Sequence, residues 1–356
     1  MKVKIEGVRI AGISSCIPET VKEIDSLASV FGEKQIRRLK KSTGVECLHV
    51  VSDGQTASDL CTEAAEFLIK KLEIPKQSLD AIVFVSFSPD YKGPPTSTIM
   101  QDRLGLKQDI VAFDITYGCS AYCYGLYQAS MLIKAGGCNR VLLCTGDTQS
   151  RMINQKDRSM QVIAGDAGTA TILEEGKGEI PFCFKTVGSS YKDLIIPAGG
   201  YRLPCSSTTA TDVPDDTGNI RSQNDLFMNG IGIMNFSLTE VPITINELLS
   251  FSAIDKKAID FFIMHQPNKL ILDQLALSME IPEEKMPIGL QKTGNTASAT
   301  IPLLLSVLKK RNIDFSQLHH TLCCGFGMGL SVSAAIVDLS KTKIYEPIIQ
   351  YNNVTV

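Results

Sequence analysis

The sequence predicts an α/β fold, and three features predict it. Strand-length apolar runs alternate with segments of helical period, at least one run lacks the polar alternation of a half-exposed strand, and parts of the second half resemble parts of the first. The first helix is expected over roughly residues 56–72, where Leu60, Ala64, Phe67, Leu68 and Leu72 fall on one stripe. AIVFVSF at 81–87 follows as a continuous β-rich run, the pattern of a strand buried on both faces. IVAFDIT at 110–116 and RVLLCT at 140–145 are the next strands, separated by a mostly apolar helix over about 120–135.

The second half repeats this grammar. DFFIMHQP at 260–267 resembles DAIVFVSFSP at 80–89, each with an Asp, an apolar run and a Pro. GDAGTATILEE at 165–175 and GFGMGLSVSAAIVDL at 325–339 both run from a Gly-rich turn into an apolar strand. Two matches in the same order imply an internal duplication. Residues 188–225, dense in Gly, Ser, Thr, Asp and Pro, are too long for an ordinary connection and predict a lid or cap, with a passive surface insertion as the alternative.

The 356 residues are 44% hydrophobic and 21% charged, enough to bury a large core in two linked domains or one large layered one. Thirty-five basic against 38 acidic residues, with no long run of either sign, exclude the electrostatic footprint of a nucleic-acid binder but leave room for a local patch facing an acidic carrier. MKVKIEGVRIAGISS lacks the apolar core of a signal peptide, and no stretch is long and apolar enough for a membrane span, so a cytoplasmic protein without a membrane partner is expected. Most of the eleven cysteines sit in apolar runs and are expected to be reduced. Neither Cys119 with Cys123 nor Cys323 with Cys324 has a second ligand pair at a zinc spacing, so no metal is expected.

Three polar residues stand out. Cys119, in FDITYGCSAYCYGL, lies where a strand turns into a helix, and free backbone N–H groups with the helix dipole there favour thiolate over thiol. Of four histidines, His265 follows an apolar strand and precedes Gln-Pro-Asn, at the strand end where open α/β sheets place ligands; His49, His319 and His320 read as surface or core residues. Asn295 precedes an apolar helix in KTGNTASATIPLLLSVLKK, where an amide caps the helix or holds a carbonyl. Gly325, Phe326, Gly327, Met328 and Gly329 form a Gly-rich turn whose N–H groups could approach an oxyanion. A Cys, a His and an Asn fit a thiol hydrolase, or thioester acyl transfer followed by carbon–carbon bond formation. The papain-type environment is not matched by GCSAYCY.

At these residues the sequence resembles the β-ketoacyl-acyl-carrier-protein synthase III group of the thiolase superfamily. AFDITYGCSAYCYGL, MHQPN, GNTASATIP and GFGMGLS look like the family's Cys, His, Asn and C-terminal Gly-rich motifs, in the family's order; GDAGTATIL and FMNGIGIMNF also look like family segments. The resemblance implies a thiolase-like α/β fold: two pseudo-symmetric βαβαβ halves, 1–178 and 179–356, in five layers α/β/α/β/α, with an insertion at about 188–235. It also implies homodimerisation through the N-terminal half. Cys119 would take an acyl group from a primer thioester, with the N–H groups of Cys119 and Met328 holding the oxyanion. His265 and Asn295 would stabilise the enolate left when a malonyl-carrier loses carbon dioxide, and Gln266, Phe326 and Gly327 would line the substrate site. No metal, nicotinamide or flavin is implied, and acyl carrier protein is the implied partner.

Two departures from the family pattern stand out. Typical members use Trp and Arg near a Thr-Gly pair to grip coenzyme A; this chain has no Trp and reads RLKKSTGVE there, which makes Arg37, Arg38, Lys40 and Lys41, with Lys269, the candidate contacts to coenzyme A phosphates or a carrier. Gly93-Pro94-Pro95 stands where many relatives place a bulky residue closing the acyl pocket, which suggests a primer larger than acetyl. Two further readings stay open: acyl transfer to an oxygen or nitrogen without condensation, and a catalytically idle partner subunit.

Overall fold

A computed structural model describes residues 1–351. In chain order its principal elements are β1 (Lys2–Pro18), α1 (Glu33–Thr43), α2 (Ala57–Lys71), β2 (Ala81–Val85), α3 (Thr96–Arg103), β3 (Val111–Ile115), α4 (Ala121–Lys134), β4 (Arg140–Thr148) and β5 (Asp166–Thr186). Then come α5 (Gly230–Ser252), β6 (Phe261–Met264), α6 (Lys269–Ser278), α7 (Thr300–Lys310), β7 (Thr321–Gly327) and β8 (Ser331–Val337).

The central strands run in the order β6-β7-β8-β5-β4-β2-β3, and β1 lies antiparallel along β5. The first part of β5 pairs with β4 and its last residues pair with β8, so one continuous strand serves both halves. The expected division at 178/179 falls inside that strand, near the point where its register against β1 shifts between Glu6 and Val8.

Why five layers form is visible in β2. AIVFV is buried at every position, because alternate side chains enter different cores. Ile82 and Phe84 join Leu60, Ala64 and Leu68 of α2. Val83 and Val85 join Leu126 of α4 and Leu304, Leu305 and Leu308 of α7. In β6, Ile263 enters that same middle layer, while Phe262 and Met264 pack outward with Val241 of α5 and Leu272 of α6. The order is therefore helix, sheet, helix, sheet, helix.

The duplication extends to single hydrogen bonds. Asp80 N–H donates to Arg140 O at 2.9 Å and Asp260 N–H donates to His320 O at 3.0 Å. Each carboxylate then accepts a backbone N–H in return, from Arg140 at 3.2 Å and from His320 at 2.7 Å. Both strands that follow pair in parallel with the strands those residues introduce, Ala81 opposite Val141 and Phe261 opposite Thr321.

Several boundaries differ from expectation. β2 stops at Val85 because Ser86, Phe87 and Ser88 turn toward a buried carboxylate, whereas β4 runs on to Thr148 against β5. Gly325, Phe326 and Gly327 are the end of β7, each paired with β8, so the turn proper is 328–330. The insertion holds two small ladders, Leu194–Ile195 with Phe227–Met228 and Val213–Pro214 with Ile220–Arg221. It ends at Asn229, whose side chain accepts from Gly232 N–H; residues 230–235 already belong to α5.

Candidate active site

Cys119 precedes α4, whose N-cap is Ser120. The start of that helix is anchored to β8: Ser120 Oγ lies 2.8 Å from Ser331 Oγ, and Ser333 Oγ donates to Ser120 O at 2.6 Å. Gly327 comes against the thiol from the other half, so closely that a Cβ there would stand 2.8 Å from Cys119 Cβ and 3.1 Å from Sγ. With φ at 144°, only glycine fits on both counts.

The thiol is 8% exposed. Burial, with the Asp147 charge second, pushes its pKa up to about 12, and the backbone N–H groups of Met328 and of Cys119 itself partly offset this. The expectation of a ready thiolate is thereby corrected: desolvation outweighs the helix terminus.

His265 follows β6 and is anchored by its N–H to Cys324 O at 2.8 Å. Its ring is buried and stands edge-on to Phe326, with centroids 5.3 Å apart. Burial lowers its pKa to about 3, so the imidazole is neutral at ordinary pH. Nδ1 is 2.7 Å from Thr300 Oγ1, which donates to Ala297 O at 2.9 Å; in that arrangement the ring hydrogen is on Nδ1. When the Thr300 proton turns to Nδ1, the ring hydrogen sits on Nε2, which is then a donor.

Asn295 occupies a turn with no slack. Its N–H donates to Ile163 O at 2.7 Å, and its carbonyl accepts from Gly165 N–H at 2.9 Å and Gln149 Nε2 at 2.7 Å. A Cβ on Gly294, at φ 66°, would come within 2.4 Å of Ile163 O. Asn295 Oδ1 accepts from Ala297 N–H at 2.9 Å, so the capping role belongs to the oxygen and the amide presents its nitrogen donors. Asn295 lines a cavity of about 900 Å³ together with Asn268 of the His motif and with Asp215, Phe227 and Met234 from the insertion and α5.

Cys119, Gly327, Phe326, His265, Thr300 and Asn295 thus form one connected constellation drawn from both halves. Gln266 is not part of it. Its Nε2 donates to Met264 O at 2.9 Å and its Oε1 accepts from Gly289 N–H at 3.0 Å, which makes it a buried brace instead of a substrate ligand. Phe326, 1% exposed, packs on His265. Arg37, Arg38, Lys40 and Lys41 lie on α1, and Lys269 opens α6 with its stem against Gly44, the residue that ends α1. Lys40 is paired with Asp25 and Lys269 with Asp273.

Sequence reasoning missed Thr300, although it stands within the Asn motif, and missed Asp147 and Gln149 altogether. Asp147 is fully buried, and burial raises its carboxyl to about 6 against the hydrogen bonds it receives. Nothing in VLLCTGDT separates it from a strand-end Asp in solvent. All eleven cysteines are free. Among the described residues no helix is long and apolar enough to cross a membrane.

This architecture, with a buried thiol at the head of one middle helix and a His and an Asn from the other half, defines a thiolase-fold enzyme. Residues 113–189 match the family model for 3-oxoacyl-[acyl-carrier-protein] synthase III, and residues 249–339 match that for its C-terminal part. A β-ketoacyl-[acyl-carrier-protein] synthase III of Streptococcus gordonii is 30% identical over 93% of this chain and 99% of its own. A solved 3-oxoacyl-(acyl-carrier protein) synthase from Burkholderia xenovorans LB400 is 35% identical, with a TM-score of 0.91 over 98% of this chain and 99% of that one. The chain belongs to the 3-oxoacyl-[acyl-carrier-protein] synthase III family.

Proposed function

We propose that this protein joins an acyl primer to malonyl-acyl-carrier protein by decarboxylative condensation. Cys119 attacks the primer thioester, the carbonyl oxygen settles on the N–H groups of Cys119 and Met328, and the primer's thiol leaves. Burial penalises the thiolate but not the uncharged thioester, so the acyl-enzyme sits in this pocket without a desolvation penalty of that kind. Malonyl-carrier then loses carbon dioxide; His265 and Asn295 hold the enolate oxygen. The enolate carbon attacks the acyl carbon, the carbon–sulfur bond breaks, the β-ketoacyl-carrier leaves and Cys119 takes back a proton.

The observation that carries this reading is the separate anchoring of His265 and Asn295. In a thiol hydrolase the Asn orients the His; here Thr300 takes His265 Nδ1 and Ala297 takes Asn295 Oδ1, which leaves the Asn295 amide nitrogen, and His265 Nε2 once the Thr300 proton turns to Nδ1, as neutral donors suited to an enolate. Transfer to a ready-made oxygen or nitrogen nucleophile has no use for that pair, and an idle subunit has no use for the constellation.

No resident cofactor enters this scheme. We assign carrier docking to the α1–α6 surface of Arg37, Arg38, Lys40, Lys41 and Lys269. The halves divide within β5, and a homodimer through β3 is supported by that strand's open edge, with Val111 at 47% exposure, beside the partly exposed Tyr117 and Tyr124 rings. A cytoplasmic location fits an enzyme that shares soluble carriers.

Intact-protein mass spectrometry tests the scheme. Incubation with a panel of acyl-CoA and acyl-carrier thioesters should add one acyl mass at Cys119, and malonyl-carrier should discharge it as β-ketoacyl-carrier. A Cys119 label that malonyl-carrier leaves in place would redirect the reading to another acceptor, and no label from any donor would end it.

A further inference from the structure

The end of β4 reaches across the molecule. Asp147 Oδ1 accepts three hydrogen bonds from the loop after β2, from Ser86 Oγ at 2.8 Å, Phe87 N–H at 2.9 Å and Ser88 Oγ at 3.0 Å. Oδ2 accepts Ser298 N–H from the other half at 3.1 Å. Two residues on, the buried Gln149 donates from Nε2 to Asn295 O at 2.7 Å. The turn 295–298 is therefore held at both ends from a single strand end, and the Phe87 ring on the far side of the same carboxylate lies over Gly118, next to Cys119.

We infer that Asp147 and Gln149 are positioning residues for the condensation step, a two-point clamp that sets the Asn295 amide relative to Cys119. The reasoning is geometric. Asn295 acts through a side chain whose oxygen is already committed within its own turn, so the direction of its nitrogen donors follows the turn's placement. Misplacing a donor by about 1 Å is enough to cost about a hundredfold in rate. A carboxylate with four donors around it and no cation among its hydrogen-bond partners is an expensive way to join two loops, and the cost is sensible where placement matters more than stability.

This inference rests on the condensation reading, and the experiment separates the two. Acylation of Cys119 and discharge by malonyl-carrier are measured as separate half-reactions in Asp147→Asn, Gln149→Leu, Asn295→Ala and the Asp147→Asn/Asn295→Ala double variant. In Asp147→Asn an amide N–H faces Ser298 N–H, so discharge should fall about tenfold or more, while acylation should hold or rise, because the Asp147 charge that helps raise the Cys119 thiol is gone. Gln149→Leu, which changes no charge, should lower discharge by less and keep acylation within about threefold. If the clamp acts through Asn295, the double variant should be no slower than Asn295→Ala alone. Multiplicative losses, equal damage to both half-reactions, unchanged discharge, or failure of both clamp variants to fold would each overturn the inference. An Asn295→Ala enzyme with normal discharge would instead remove the role given to Asn295, and the clamp with it, whatever the other variants do.

Discussion

The middle helices α4 and α7 begin the same way and do different chemistry. α4 follows β3 directly, whereas α7 follows α6 and a run of 3-10 turns, yet each carries a polar residue just ahead of its first turn. On α4 that residue is Cys119, two positions before Ala121. On α7 it is Asn295, set back from Thr300 by the 3-10 turn Ala297–Ala299. The short lead points a thiol at the helix terminus; the longer one consumes the amide oxygen in its own turn and leaves the nitrogen. Each site is also completed from the opposite half. Extending the paired registers of β2 with β4 and β6 with β7 puts Asp147 and Gly327 at corresponding positions: Gly327 closes over Cys119, and Asp147 holds the turn of Asn295. Duplication supplied two equivalent corners, and side chains made one of them a nucleophile and the other a donor.

The largest effect should come from removing the nucleophile. Cys119→Ala should abolish the acyl-enzyme and lower turnover by about a thousandfold or more, read by intact mass and product formation. A retained acyl adduct would break the assignment of roles between the corners. Asn295→Ala should leave acylation within a few-fold and slow discharge by about a hundredfold, the usual size of one lost oxyanion donor. Comparing the two half-reactions by quenched-flow checks it, and equal losses in both would erase the distinction drawn here.

Gly327→Ala sharpens the Cys119 side. Its Cβ meets Cys119 at 2.8 Å in a backbone conformation other residues avoid, so slower acylation together with about 1–3 kcal/mol of lost stability is expected. Acylation rates and thermal melts would show whether the close approach is needed. The smallest effect concerns His265. Its folded pKa of about 3 lies below the ordinary value of 6.5, so the unfolded chain takes up the proton first and stability falls as pH drops below about 6.5. At pH 5 this amounts to about 2 kcal/mol. His265→Gln should therefore lose less melting temperature than the parent protein between pH 7 and pH 5.

The layered core was legible because burial on both faces leaves a direct trace: AIVFV and FFIM have no polar alternation, and the Asp before each marks the repeat. Cys119, His265 and Asn295 were legible from residue type and place. The thiol's ionisation was not, since the charge and desolvation around it come from residues far along the chain. Gln266 misled because adjacency to His265 says nothing about which way a strand-end side chain turns; Met264 O and Gly289 N–H claim it. Asp147 and Gln149 were invisible for the same reason: their partners lie far along the chain, in the loop after β2 for Asp147 and in the turn 295–298 for both.

The continuous strand β5 has a consequence for the history of the chain. The ancestral unit implied by the repeat had to end in an edge that could be closed by a copy of itself. Here that junction has been welded into one 21-residue strand that supplies a ladder to each side. A severed half would expose a torn sheet and an incomplete catalytic corner together, so the two copies, whatever chemistry each carries, hold together as one unit.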